Sequence, residues 1–203
     1  MIKCNVTMIG TVCRAAQVRS NKDGKPFVSL GVNVVIPAKS GINKTFEVGM
    51  TMDGNDASLA TTYPVNSRVK VTGVLTFRKH GDALYLNMNA TELASTTEFD
   101  DSIKGDIEFK GTVGKNVDTK TSKSGKPYGL FSAFSAEKDG DGFAYTWVRF
   151  MNFNEEQPDW LQPKSHIEVI GELSLGVYND RLDISCRVTE VAPWDKQPYQ
   201  PKS

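Results

Sequence analysis

The sequence contains few of the residues that build catalytic or metal centres. Among its 203 residues are only 3 cysteines, Cys4, Cys13 and Cys186, and 2 histidines, His80 and His166. The cysteines form neither a metal-spaced pair nor an even disulfide set, so we expect buried, reduced thiols. The histidines lie in no nucleophile motif, metal cluster or glycine-rich phosphate loop. The sequence therefore predicts no enzyme, no metal site and no cofactor.

Long apolar runs are also absent. No stretch approaches the roughly 20 apolar residues that a membrane-spanning helix needs. The start, MIKCNVTMIG, lacks the charged, apolar and small-residue regions of a signal peptide. We therefore expect a cytoplasmic protein. A hydrophobic fraction of 39% is nevertheless enough for two modest cores.

The net charge is zero, but the charge is unevenly distributed. Residues 1–94 contain 11 lysines and arginines against 6 acids, whereas residues 107–192 contain 10 against 13. Residues 95–106 hold four acids and one lysine. A polyanionic partner should therefore be attracted more strongly to the first half of the chain.

The main feature that the sequence does contain is a long internal repeat. The phrase SNKDGKPF at 20–27 returns as TSKSGKPY at 121–128. Matches continue at an offset of 101, as from Gly10 to Gly111 and from Phe46 to Trp147, and later at an offset of 98, as from Gly73 to Gly171. We interpret this change as one slip of three residues between Met151 and Ser165. The repeat predicts a first copy at 1–94, an acidic linker at 95–106, a second copy at 107–192 and a short proline-containing tail at 193–203.

Each copy contains five segments in which apolar and polar side chains alternate, the pattern of half-buried strands. In the first segment, Cys4, Val6 and Met8 share one side. Between the third and fourth segments there is room for one or two helical turns, ended by Pro64 or Pro163. This order predicts an all-β chain of two tandem OB-folds, five-stranded Greek-key barrels with a short helix between strands three and four. A pair of small β-sandwiches is the alternative.

The repeated phrase lies where an OB-fold binds its ligand. The outer face of strands two and three, between the loop joining strands one and two and the loop joining strands four and five, forms a groove for oligonucleotides or oligosaccharides. The phrase supplies cations that can follow phosphates and an aromatic ring that can stack on any base, which contributes about 1–3 kcal/mol per base. The predicted binding residues here are Arg14, Arg19, Lys22, Lys25 and Phe27 in the first copy, and Lys115, Lys120, Lys123, Lys126 and Tyr128 in the second.

Strand three of the second copy adds further binding residues. In TWVRFMNF, Trp147 and Arg149 alternate with apolar residues that suit a barrel interior. We therefore expect both in the groove, with Phe134 of strand two on the same face; a tryptophan packed in the core is the alternative. At the offset of 101, Phe46 takes the place of Trp147 in the first copy.

The loop between strands four and five is expected to close over the groove of its own copy. It supplies cations in the first copy and a tyrosine with an arginine in the second. We therefore expect the first copy to bind a polyanion chiefly through charge and the second chiefly through stacking. The residues are Arg78, Lys79 and Tyr85, with Lys70 facing outward on strand four, in the first copy, and Tyr178 and Arg181 in the second.

These motifs, in this order, resemble those of the bacterial and phage single-stranded-DNA-binding proteins. The shared features are the Gly-Lys loop, the Trp147-Val148-Arg149 pattern of strand three, and the V-x-V-x-G-x-L run at 69–75. The resemblance covers nearly the whole chain in two passes. It implies sequence-independent binding and protection of single-stranded DNA during replication, recombination or repair, without catalysis.

The resemblance also implies an assembly. Four OB-folds usually surround the DNA in this family, so this chain is expected to form a homodimer or to act as a pseudo-dimeric monomer. The family's acidic, hydrophobic tip has no counterpart in WDKQPYQPKS, which points to a phage or plasmid origin and, if so, to a bacterial host cytoplasm. Two other functions stay open: one copy docks a replication protein, or the grooves take single-stranded RNA.

Overall fold

A computed structural model describes residues 1–39, 41–154 and 157–195 of the chain. Nearly every element is a strand, so the chain is all-β as predicted. The strands are β1 Ile2–Ser20, β2 Pro26–Ile36, β3 Lys44–Asp53, β4 Arg68–His80, β5 Ala83–Ser95, β6 Ser102–Thr121, β7 Pro127–Asp139, β8 Gly142–Asn152, β9 His166–Tyr178 and β10 Arg181–Pro193, and the helix is α1 Leu59–Thr62.

Strands β1 to β5 close into a barrel. β1 pairs with β2 and β4, β2 pairs with β3, β3 pairs in parallel with β5, and β5 pairs with β4. This cyclic order is the Greek-key barrel of the OB-fold. Strands β6 to β10 repeat the same pairings in the same order. The prediction of two tandem OB-folds is confirmed, and the sandwich alternative is wrong.

The barrel interiors are built from the apolar side of each alternating strand. In β1, Cys4, Val6 and Met8 are buried, and Ile107 occupies the corresponding interior position in β6. All three cysteines are free thiols. Burial disfavours the thiolate and raises the pKa of Cys4 and of Cys186 to about 12, so both are protonated at neutral pH. Cys4 and Cys186 are buried as expected, whereas Cys13 is only partly buried.

The two barrels are joined through the pairing of their first strands. β1 and β6 run antiparallel from Ile2 opposite Phe109 to Ile9 opposite Ser102. Asn5 lies opposite Asp106, its own repeat counterpart at the offset of 101. A residue can face its own counterpart only at a symmetry axis, so a pseudo-two-fold axis passes near this pair. The two copies are therefore arranged as the subunits of a symmetric dimer would be.

The segment that connects the copies is shorter than predicted. β5 extends to Ser95 and β6 begins at Ser102, so residues 102–106 are strand residues that pair with β1. The remaining residues lie against Arg68, whose guanidinium donates hydrogen bonds to the carbonyl oxygens of Glu98 and Phe99 and to Asp101. The acidic linker is thus partly a strand and partly a segment bound to a cation of the first copy. Of the predicted tail, residues 196–203 lie outside the described residues.

The predicted helix exists in the first copy alone among the described residues. α1 has four residues and ends just before Pro64, as expected. In the second copy the described residues of the corresponding segment, 153–154 and 157–165, form turns and bends, so the helix prediction is wrong for them. Pro158 and Pro163 remove backbone donors there and restrict the residues before them. In the described part of the chain no helix is long and apolar enough to cross a membrane.

Candidate nucleic-acid interface

The repeated Gly-Lys-Pro phrase forms the tip of a β-hairpin in each copy. In the first copy, Asn21 Oδ1 accepts hydrogen bonds from two backbone N–H groups, including that of Lys25 at 2.9 Å. Gly24 has a φ of +75°, which glycine adopts without steric cost. In the second copy, Ser122 Oγ accepts from a backbone N–H at 3.0 Å and Gly125 has a φ of +81°. The phrase therefore recurs because both hairpins need the same capped, left-handed turn.

These turns hold the predicted cations at the exposed ends of the hairpins. Phe27 and Tyr128, which follow the turns, are half-buried and remain accessible. Tyr128 stacks on Phe153 with ring centroids 4.7 Å apart, and the guanidinium of Arg187 lies 5.1 Å from the centroid of Phe153. Each hairpin thus brings cations next to an aromatic ring, as predicted. The exposed cations are Arg19, Lys22 and Lys25 in the first copy and Lys120, Lys123 and Lys126 in the second.

The second copy carries a cluster of exposed aromatic rings, which we call the second face: the outward side chains of β7, β8 and β10. Trp147 is 51% exposed and Tyr145 is 45% exposed. The ring of Phe134 lies between them, with its centroid 5.0 Å from Trp147 and 5.4 Å from Tyr145. The prediction that Trp147 and Phe134 share an outer face is confirmed, and the alternative of a core tryptophan is wrong.

A glycine makes room for the indole ring. A Cβ atom built on Gly114 of β6 would lie 3.0 Å from Cζ3 of Trp147, which is closer than an ordinary contact. One side of the indole therefore lies against the β6 backbone while the ring stays half open to solvent. Lys115 and Arg149 line the cleft beside it, and Arg149 lies 3.4 Å from the carboxylate of Asp183. The second face thus combines flat rings with cations at one end.

The offset between the copies is 100 in the third strand and not 101. Asn33 of β2 lies opposite Glu47, whereas its counterpart Phe134 lies opposite Trp147. The slip of three residues therefore takes place in more than one step, and the first step lies between β2 and β3. Because side chains alternate along a strand, an error of one residue moves every side chain to the other face.

The counterpart of Trp147 is consequently Glu47 and not Phe46. Phe46 has the same parity as the buried Val48 and packs against the core, so the prediction that it lines the groove is wrong. Arg14 donates from Nε and from one terminal nitrogen to Glu47 Oε1, both at 3.2 Å. The first face, meaning the outward side chains of β2, β3 and β5, therefore carries an ion pair where the second face carries an indole.

The remaining predicted residues of the first copy are divided between two surfaces. Tyr85 is 54% exposed on β5 and belongs to the first face. Lys70 faces outward as expected, but from β4, which is not part of that face, and its Nζ lies 3.1 Å from Glu98 Oε1 in the connecting segment. The structure does not bring Lys70 together with the hairpin cations, and its role as a binding residue stays a prediction.

The hairpin between β4 and β5 reaches the other copy. Lys79 Nζ lies 3.3 Å from the carbonyl oxygen of Tyr145, and His80 Nδ1 lies 3.1 Å from Asp139 Oδ1. Arg78 is exposed beside them. These contacts contradict the prediction that the hairpin closes over the groove of its own copy.

The hairpin between β9 and β10 makes the reciprocal crossing. Lys44 Nζ lies 2.7 Å from the carbonyl oxygen of Asp180 and 3.1 Å from its Oδ1, and the N–H of Val177 donates to the carbonyl oxygen of Pro37 at 3.1 Å. The predicted residues Tyr178 and Arg181 lie opposite each other at the tip of this hairpin and are exposed. They too lie next to the other copy and not over their own groove.

Sequence reasoning missed two residues of the second face. Tyr145 has the parity of Trp147, and the alternation that reveals Trp147 already begins at Phe143 in FAYTWVRF. Arg187 alternates with buried residues in DISCRV and contacts the Tyr128–Phe153 stack through Phe153. Following each alternation over the full strand would have found both residues.

No protein-family model matches the chain, and no curated protein matches it. Among solved structures it is similar to a single-stranded DNA binding protein from Thermus aquaticus, at 14% identity and a TM-score of 0.48, over 100% of this chain and 97% of that one. A mitochondrial single-stranded DNA binding protein from S. cerevisiae matches 46% of this chain over 97% of its own, at 17% identity and a TM-score of 0.35. The protein PriB from Ralstonia solanacearum matches 45% over 98%, at 19% identity and a TM-score of 0.34.

Proposed function

We propose that the chain binds single-stranded DNA without reading its sequence. The observation that carries this proposal is the exposed cluster of Phe134, Tyr145 and Trp147 next to Arg149. Every base has a flat π-face that can stack on such rings, and cations beside the rings can bind the phosphates between bases. A duplex keeps its bases stacked inside, so this surface suits an unpaired strand.

Exposure of the cluster supports a binding role over a structural one. A cluster of large rings left half open to water is costly in an isolated barrel and is typical of a ligand surface. The same rings are packed at centroid distances of 5.0 and 5.4 Å, so they are already ordered before a ligand arrives. Preorganised rings lose little conformational entropy on binding. The motif resemblance of the sequence points to the same class of ligand.

The first copy has a different part in this proposal. Its face carries the Arg14–Glu47 pair and Tyr85, and its hairpin carries Arg19, Lys22 and Lys25. We propose that this copy holds the strand mainly through its phosphates, while the second copy holds it mainly through its bases. One chain would then act as two linked subunits, alone or as a homodimer with four barrels, in protecting DNA during replication, recombination or repair.

The test is a titration of the whole chain with dT oligonucleotides and with a duplex of equal length at several salt concentrations. We expect quenching of tryptophan fluorescence by the single strand, much weaker binding of the duplex, and affinity that falls as salt rises. Equal affinity for both forms would contradict the stacking surface. A matched RNA oligonucleotide should compete less well or equally, and clearly tighter RNA binding would reassign the ligand.

A further inference from the structure

The aromatic cluster of the second face is bordered by a hairpin that belongs to the first copy. Lys79 Nζ, on the hairpin between β4 and β5, lies 3.3 Å from the carbonyl oxygen of Tyr145. His80 Nδ1 lies 3.1 Å from Asp139 Oδ1 on the hairpin between β7 and β8. The contact therefore holds the basic hairpin next to a ring that we assign to the binding surface.

The hairpin reaches β8 where that strand has a free edge. β10 pairs with β8 only from Arg149 to Met151, so the edge at Tyr145 has no β10 neighbour. The second copy's own hairpin, between β9 and β10, is held on the first copy by Lys44 and Asp180 instead. Each of these two hairpins thus contacts the other copy. The hairpin beside the Tyr145 end of the second face therefore belongs to the first copy.

The charges differ between the two ends of the second face. At the Trp147 end the second copy provides its own cations, Lys115 and Arg149. At the Tyr145 end its β7–β8 hairpin provides three acids and one lysine, and its Lys110, which lines the same cleft as Tyr145, lies 3.0 Å from the carboxylate of Glu168. A strand of nucleic acid that crosses both rings needs phosphate contacts at both ends. The first copy's hairpin therefore adds cations at the end where acids balance those of the second copy.

We propose that the basic hairpin of the first copy completes the second face, so that Arg78 and Lys79 bind phosphates of a strand whose bases stack on Tyr145 and Trp147. This proposal rests on the proposed function, because it assigns partners to the same ligand. It makes the binding surface of the second copy composite, with rings from one barrel and cations from the other. Within this one surface the first copy contributes charge and the second copy contributes stacking rings. The same difference is proposed between the first face and the second face.

The experiment uses the full chain with Trp160→Phe and Trp194→Phe, which leaves Trp147 as the single tryptophan of the 3 in the sequence. The ligand is a dT oligonucleotide of about five nucleotides, short enough for one OB-fold. Binding is followed by Trp147 fluorescence at several salt concentrations for the parent and for the double variant Arg78→Ala and Lys79→Ala. The matched control, Lys39→Ala with Lys104→Ala, removes the same charge from exposed lysines elsewhere.

We expect the Arg78 and Lys79 variant to bind more weakly and to lose about 1.4 from the slope of log affinity against log salt, since each phosphate contact on a single strand contributes about 0.7. The matched control should keep the parent's slope. A charge-preserving variant, Arg78→Lys with Lys79→Arg, should also keep it, which separates lost charge from a displaced hairpin. An unchanged slope in the alanine variant, an equal loss in the control, or a full loss in the charge-preserving variant would overturn the proposal. If the parent itself shows no quenching, the proposed function fails, whereas binding with an unchanged slope defeats only the composite surface.

Discussion

At equivalent places on the two barrels, the second copy presents the indole of Trp147 and the first presents the carboxylate of Glu47. The first strand of each barrel differs in a matching way. Gly114 of β6 leaves room for the indole, whereas the counterpart of Gly114 in β1 is Cys13. Around Glu47 the first copy forms an ion pair with Arg14. One fold and one pair of hairpin turns therefore support two different surfaces. What a barrel binds is determined by a few outward residues that its core does not constrain.

The largest effect that we expect comes from removing the ring that distinguishes the second face. Trp147→Ala should weaken binding of a short dT oligonucleotide by about 1–3 kcal/mol, or roughly 5- to 150-fold, since one stacking platform is lost. Fluorescence anisotropy of a labelled oligonucleotide measures this without relying on tryptophan emission. Trp160→Ala is the control, because Trp160 is 37% exposed in the segment between β8 and β9 and not on the second face. Equal losses of oligonucleotide affinity in the two variants would contradict the role of Trp147 as a stacking platform.

A second prediction builds the missing ring into the first copy. Glu47→Trp combined with Cys13→Gly should strengthen binding of an oligonucleotide long enough to reach both faces, by up to about 1–3 kcal/mol for one added stacking platform. Glu47→Gln frees Arg14 without adding a ring and should give a smaller gain. Isothermal titration calorimetry of the three proteins separates these contributions. A gain from glutamine as large as that from tryptophan would show that charge and not stacking limits the first face.

The corrected register of β3 makes a third prediction. Phe46→Ala should lower the free energy of unfolding by about 2 kcal/mol, less than the 3–5 typical of a fully buried phenylalanine, because Phe46 is only partly buried. Oligonucleotide affinity of the folded variant should stay at the parent value. Urea denaturation followed by circular dichroism measures the first effect, and anisotropy measures the second. A large loss of affinity with unchanged stability would return Phe46 to the binding surface.

The smallest effect is expected at Lys70. Lys70→Ala should leave short-oligonucleotide affinity and its salt slope nearly unchanged, because this lysine is on β4 and is paired with Glu98. Lys126→Ala, which removes the same charge from an exposed hairpin, should lower the slope by about 0.7 for one lost phosphate contact. The two variants are compared in the same salt titration. If the slope changed more for the Lys70 variant than for the Lys126 variant, the phosphates would lie on the β4 side of the barrel, which would contradict the prediction.

The strands could be predicted because alternation is a local signal. The prediction that Trp147 and Arg149 face outward is correct because both lie within an unbroken alternation with buried Val148 and Phe150. The hairpin turns were equally local, because a cap and a glycine within a few residues determine them. These parts of the site follow from neighbouring residues alone.

What could not be predicted depends on pairing between distant strands. The offset of the first two strands predicts the wrong face for Phe46, because the loop before the third strand differs in length between the copies and shifts the register by one residue. The exchange of the hairpin at 78–83 is not predictable from its own residues, because it depends on a contact with Tyr145 of the other copy. The same holds for residues 102–106, which the repeat assigns to the linker while pairing with β1 makes them a strand.

Ultraviolet crosslinking of a dT oligonucleotide to the whole chain, followed by mapping of the modified peptides, tests most directly whether the exposed rings of the second copy touch the bases. The proposed surface predicts crosslinks concentrated in residues 143–149 and at Phe134, with fewer on the first copy. Crosslinks confined to the first copy, or to the outer side of the sheet formed by β4, β1, β6 and β9, would contradict it.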